Sequence, residues 1–202
     1  MHFLQTAITA LSAASLITTS LALPTATTEK RGLCTIQPSF IKHLSKNNSP
    51  LYHYYQGAKP APISPDEFII ASGPGGGSNS NYEVRTGMKF IIPPGATGCR
   101  LQVSNRPKIN KPYKMEGSID TSVFRVTDVC DGHSWDKPPT PLASQPGVVY
   151  TTDWLGPQTN AWSGNCDKQL SFLFTHSDWQ TGAGELNFVQ SSQDGFSIIY
   201  DC

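Results

Sequence analysis

The chain has 202 residues, with 15 Lys and Arg against 15 Asp and Glu, 38% hydrophobic residues, 17 glycines and 16 prolines. Charge this balanced, with no basic stripe or acidic tail, leaves no electrostatic basis for nucleic acid or an anionic membrane as a partner. Residues 1–22 read as a secretory signal. Ala7 to Leu21 is apolar, small and uncharged, and Ser20-Leu21-Ala22 places small residues ahead of a cleavage point. The run is too short for a membrane span. Residues 23–31 form a polar leader ending in Lys30-Arg31, a dibasic pair that resembles the site cut by kexin-type proteases. The expected mature part is residues 32–202, long enough for one domain with a core. Thirteen basic and fourteen acidic residues remain there, a net charge of −1.

All five cysteines, Cys34, Cys99, Cys130, Cys166 and Cys202, fall in this part. A secreted chain forms disulfides, and five leaves one over. The sequence does not fix the pairing. The expectation is Cys99 with Cys202 and Cys130 with Cys166, leaving Cys34. No spacing suggests a metal site, and no cofactor is expected.

From Cys34 to Ser49, Phe40, Ile41 and Leu44 fit either a helical face or an edge strand. Asn47 heads the N-x-S/T sequon Asn47-Asn48-Ser49 and is a candidate glycan site. Leu51 to Gln56 is an aromatic cluster, either a sugar-stacking surface or ordinary strand tyrosines. Glu67 to Ser72 reads as a short strand. Gly73 to Asn81 is glycine-rich but lacks the Gly-Lys-Ser/Thr of a phosphate-cradling loop, so it reads as a surface loop. Tyr82 to Ile92 keeps Tyr82, Val84, Met88, Phe90 and Ile92 on one parity, with Gly87 as an expected kink or bulge. Cys99 to Val103 begins the next strand, Asn105 to Lys114 is a basic loop, and Ser118 to Val129 is another long strand.

Asp131 to Asp136 holds Asp131, His133, Ser134 and Asp136. Neighbours in one loop rarely reach the nucleophile–base–orienter order of a triad, and no G-x-S-x-G elbow is present. No catalytic residue is assigned. Residues 138–162 are rich in Pro and Gly, with one strand at Gly147 to Thr151. Four tryptophans, Trp135, Trp154, Trp162 and Trp179, fall in segments read as loops. They either present a sugar- or protein-binding rim or cap the ends of the core. The chain closes on three runs of alternating apolar residues: Leu170, Phe172 and Phe174; Leu186 and Phe188; Phe196, Ile198 and Tyr200. Strand side chains alternate faces, so each run lays one face on a core. With turn signals between them, the runs read as a three-stranded antiparallel meander. Eight or nine short strands without a long helix make an all-β fold. The expectation is an antiparallel β-sandwich, jelly-roll-like and stapled by disulfides.

The segments Lys89 to Val103, Gly117 to Asp120 with Val123 to Val126, Leu170 to Phe174 and Gly195 to Cys202 resemble the fungal But-two C-terminal domain family. The likeness runs from about Pro38 to the end. It implies a secreted fungal β-sandwich with a Cys99–Cys202 bridge and brings no catalytic residues. The family's name implies an intracellular partner, which the signal-like leader contradicts.

Three functions compete. The first is a secreted, monomeric, non-enzymatic protein that associates with the cell wall or a host surface, as an effector or antigen. The second is a polysaccharide-active or carbohydrate-binding jelly roll. Hydrolysis would need two suitably spaced carboxylates, and Glu67, Glu83, Glu116 and Glu185 are scattered. Copper-dependent oxidation would need an amino-terminal His, whereas Gly32 is the expected terminus. The third is a binder or inhibitor of a secreted host protein, using loops 73–81 and 131–162.

Overall fold

The protein is described from a computed structural model, over residues 32–46, 63–73, 82–104, 114–117, 119–143, 146–150, 158–191 and 195–202. The expected signal segment, the Lys30-Arg31 site, Asn47, the 51–56 aromatic cluster and Trp154 lie outside the described residues. Twelve strands occur among them: β1 (Leu33–Ile36), β2 (Phe40–Ser45), β3 (Glu67–Ser72), β4 (Glu83–Ile91), β5 (Thr97–Ser104), β6 (Lys114–Gly117), β7 (Thr121–Val126), β8 (Gly147–Val149), β9 (Gln158–Gly164), β10 (Gln169–His176), β11 (Gly184–Val189) and β12 (Gly195–Asp201). No helix of the described residues is long and apolar enough to cross a membrane.

The strands form an antiparallel β-sandwich. One sheet has the order β1-β12-β5-β9. The other has the order β6-β11-β3-β4-β10-β7-β8, with β2 also paired to β4. Within these, β1-β12-β5-β9 faces β4-β10-β7-β8, and the chain changes sheet at every step through these eight strands except from β7 to β8. That interleaving of two four-stranded rows is the jelly-roll arrangement. Strands β2, β3, β6 and β11 widen the second sheet.

Alternation produces the core. In β5, Cys99, Leu101 and Val103 are buried while Arg100 and Gln102 are half-exposed. Leu170, Phe172 and Phe174 are fully buried and share the inter-sheet core with Phe68, Phe90, Phe196 and Ile198. Burying each such side chain contributes about 1.5–3 kcal/mol. Strand β10 is also covered on its outer face, where Leu173 joins Leu44, Val126 and Val129.

The three terminal runs are strands, but they do not form a meander. β10 lies between β4 and β7, β11 between β3 and β6, and β12 between β1 and β5. A buried period-2 face looks the same in sequence whether the next strand pairs with it or crosses to the other sheet. The crossing from β11 to β12 is held by the Gln190 side chain. Its Oε1 accepts from Phe196 N–H at 2.8 Å and its Nε2 donates to Phe196 O at 2.9 Å. Gly87 is neither kink nor bulge. Its ladder runs unbroken against Leu173 and Lys42, and a Cβ there would sit 2.8 Å from Val129 Cγ1, so glycine admits the Val129 side chain. The expected long strand from Ser118 to Val129 is shorter: pairing ends at Val126, although Ile119 and Val129 remain buried. Lys114, read as loop, opens β6.

The expected disulfide pairs are also corrected. Cys34 bonds Cys202 and Cys99 bonds Cys166, with Cα separations of 5.9 and 5.2 Å, while Cys130 is a free thiol. Adjacency explains this. Cys34 is opposite Tyr200 in the β1–β12 ladder, and Cys202 N–H donates to Gly32 O. Cys99 is opposite Gly164, two residues before Cys166. Both bridges staple neighbours of the four-stranded sheet, whereas Cys130 follows β7 in the other sheet. Both are compatible with an extracellular location. Peptide mapping of unreduced protein is expected to recover Cys34–Cys202 and Cys99–Cys166 with a free Cys130, and the double change Cys34→Ser/Cys202→Ser to lower unfolding stability by about 2–4 kcal/mol. A Cys99–Cys202 peptide would contradict the strand order.

Candidate functional site

The three described tryptophans have three different fates. Trp162 lies in β9, where the register against β5 shifts between Leu101 and Gln102 and leaves Ala161 as an extra residue. The bulge turns both Ala161 and Trp162 toward the core. The Trp162 ring meets Phe172 edge-on at 5.2 Å. It is part of the core wall and not of a rim.

Trp135 is half-buried, and the Arg85 guanidinium lies over its ring at 4.0 Å from the centroid. Arg85 Nε also donates to Glu83 Oε1 at 2.8 Å. Glu83 is 1% exposed, and its Oε2 has no hydrogen-bond partner among the described residues; nor does Ser72 Oγ, its neighbour across the β3–β4 ladder. Burial pushes the Glu83 carboxyl above its ordinary value of 4.5, and the Arg85 charge offsets that only in part. Lys46 lowers it further and Asp178 raises it. This array fastens the loop bearing Trp135 to the outer face of β4 and covers one face of the indole.

Trp179 is presented to solvent, with 55% of its surface exposed. It sits in the turn that follows β10, and that turn is tied to the start of β7. Ser177 N–H donates to Asp120 O at 2.9 Å, and Asp120 N–H donates to Gln180 Oε1 at 2.7 Å. The Ser122 and Ser177 hydroxyls are 2.9 Å apart. The indole Nε1–H itself donates to Asp120 Oδ2 at 3.2 Å. The β7–β8 register, Thr121 opposite Val149, brings Tyr150 level with Asp120, and Tyr150 is 54% exposed. Two exposed aromatics, Trp179 and Tyr150, therefore lie at the end of the sandwich where Asp120 leads into β7. Chain pattern marked Trp179 as a loop tryptophan. Asp120 and Tyr150 went unnoticed because only the fold brings them to it.

The Asp131–Asp136 loop is occupied with its own turn. His133 Nδ1 accepts from Cys130 N–H at 3.1 Å and lies 3.5 Å from Cys130 Sγ. Asp131 is directed to Lys42 at 3.8 Å, and Ser134 and Lys137 exchange backbone hydrogen bonds. Of the four acids considered, Glu67 and Glu185 are buried like Glu83, and Glu67 Oε2 accepts from Ser64 N–H. No group of three His, Cys, Asp or Glu side chains among the described residues is placed to hold a metal ion. In comparison with known proteins, no family model and no curated protein matches the chain.

Glu83 generates a pH prediction. Its raised folded-state pKa means that the folded protein holds this proton more tightly than the unfolded chain does. The corresponding stability is complete below the ordinary carboxylate value of 4.5 and is lost as pH rises through the folded-state pKa. In thermal melts, the wild type should lose stability relative to Glu83→Gln as pH rises from that value toward neutrality. A difference independent of pH would show that burial of this carboxylate is not felt.

Proposed function

We propose that this chain is a secreted, non-enzymatic binding protein that associates with extracellular polysaccharide, at a cell wall or a host surface, through the platform at Trp179. The observation that carries the proposal is an indole both exposed and immobilised: 55% of Trp179 is open while Asp120 holds its N–H. An aromatic face stacks on the C–H face of a pyranose, and a pre-set ring loses little conformational freedom on binding. Tyr150 supplies a second exposed ring. The signal-like leader and the two disulfides support an extracellular setting.

A protein ligand is the second reading, because Trp and Tyr are also the residues that dominate protein interfaces. The resemblance to the But-two C-terminal domain family enters this proposal through its β-sandwich alone, since the Cys99–Cys202 bridge it implies is not formed.

Tryptophan fluorescence tests the reading. Titration with soluble chito-oligosaccharides and β-glucan oligosaccharides should change the emission of the wild type, and Trp179→Ala should weaken binding by about tenfold or more. Trp179→Phe, which keeps a stacking face but loses the bond to Asp120, should fall between. No response to either series, or unchanged affinity in Trp179→Ala, would remove the platform as a sugar site and favour a protein partner.

A further inference from the structure

At the end of the sandwich remote from Trp179 lies a shallow depression of about 420 Å³, lined by Gly98, Cys99, Arg100, Ser163, Gly164 and Asp201. The placement follows from the chain. β9 ends at Gly164, a four-residue connection leads into β10, and β10 then runs the length of the sheet to the Trp179 turn. We infer that this depression is a binding pocket for a single pyranose unit, held through neighbouring hydroxyls by Arg100 and Asp201.

Three neighbouring strands build it. Arg100 of β5 is opposite Ser163 of β9 on one side and Ile199 of β12 on the other, and Asp201 follows the register shift after Ile199. Both bridges, Cys34–Cys202 and Cys99–Cys166, fasten this end of the sheet, so the backbone that carries the lining groups is held in place before a ligand arrives. Two glycines shape the surface. A Cβ on Gly98, at φ +64°, would lie 2.6 Å from Asp201 Oδ2, so glycine lets the carboxylate lie against the backbone. A Cβ on Gly164 would run into the Trp162 ring, so glycine lets that ring pack against the end of β9.

The chemistry selects the ligand. Arg100 and Asp201 make no side-chain hydrogen bond or ion pair with the described residues. A guanidinium only donates and a carboxylate only accepts, whereas a hydroxyl does both. Two neighbouring sugar hydroxyls can therefore satisfy both side chains at once, with Ser163 able to serve a third. A simple anion satisfies Arg100 but meets the charge of Asp201, and a simple cation meets the reverse. A zwitterion matches both charges, but in a site this open its ion pairs would be hydrated and weak.

The test is amide-resolved NMR of the labelled protein with the methyl glycosides of glucose, N-acetylglucosamine, mannose and galactose, and with glycine as the zwitterion. At least one glycoside at millimolar concentration should move the Gly98, Arg100, Ser163 and Gly164 amides together. Arg100→Ala and Asp201→Asn should each weaken that binding by about tenfold. Ser163→Phe, which keeps both charges and fills the space, should abolish it. The inference is overturned if no glycoside moves these amides, if glycine moves them and the glycosides do not, or if the variants bind like the wild type. Because the pocket and Trp179 occupy opposite ends, perturbation at Trp179 and Asp120 reports the other site separately, and either can fail alone.

Discussion

The contact on which the rest of this protein depends is the meeting of aromatic rings between the sheets at Phe174. Its ring lies 4.3 Å from Phe196, on β12 of the four-stranded sheet, and 5.3 Å edge-on from Phe68 of β3. Phe68 in turn stacks on Phe188 at 4.8 Å. Two positions earlier, Phe172 meets Phe90 and Trp162. Strand β10 therefore joins both sheets through its inner face, and its outer face is sealed by Leu44, Val126 and Val129. Few shifts of register are open to a strand buried on both faces. That rigidity carries to its ends: the Trp179 turn follows one, and the connection from the pocket leads into the other.

The outer face of the larger sheet needs its own cover, and cations on β2 and β4 hold it in place. Lys42 reaches Asp131, Arg85 lies over Trp135, and Lys89 donates to Asp128 at 2.8 Å. The Lys89 hydrogen bond holds the Asp128 carboxyl below its ordinary range. The segment after β7 is thus clamped along its length, which lets Val129 reach the space above Gly87. The tryptophan in that segment serves as a packing surface for an arginine. The tryptophan in the β10 turn has no such cation over it among the described residues, and 55% of its surface is exposed.

Much of this was legible in the sequence wherever alternation was clean. Glu67 to Ser72 is a strand with the expected bounds, and Leu170, Phe172, Phe174, Phe196 and Ile198 are core residues as their spacing implies. The ambiguity at Phe40, Ile41 and Leu44 has a physical source. β2 is apolar on both faces, with Ile41 against the inter-sheet core and Phe40 and Leu44 in the outer cluster, so its pattern mimics a helical stripe. β9 was hidden because the bulge at Ala161 breaks alternation in a strand that is otherwise polar. Strand partners, and with them the disulfides, were not legible, because adjacency in a jelly roll joins residues as far apart as Cys34 and Cys202. The same holds for both candidate sites: Asp120 and Trp179 are 59 positions apart, and Arg100, Ser163 and Asp201 come from three strands.

We propose that this sandwich binds polysaccharide through the exposed indole of Trp179, whose N–H is held by Asp120. The most direct measurement is a set of adsorption isotherms for the purified protein on insoluble chitin, β-glucan and cellulose, run beside Trp179→Ala. Saturable adsorption is expected on at least one polymer, with affinity lowered by about tenfold in the variant. Failure to adsorb on any of them, or adsorption that the variant retains in full, would contradict it.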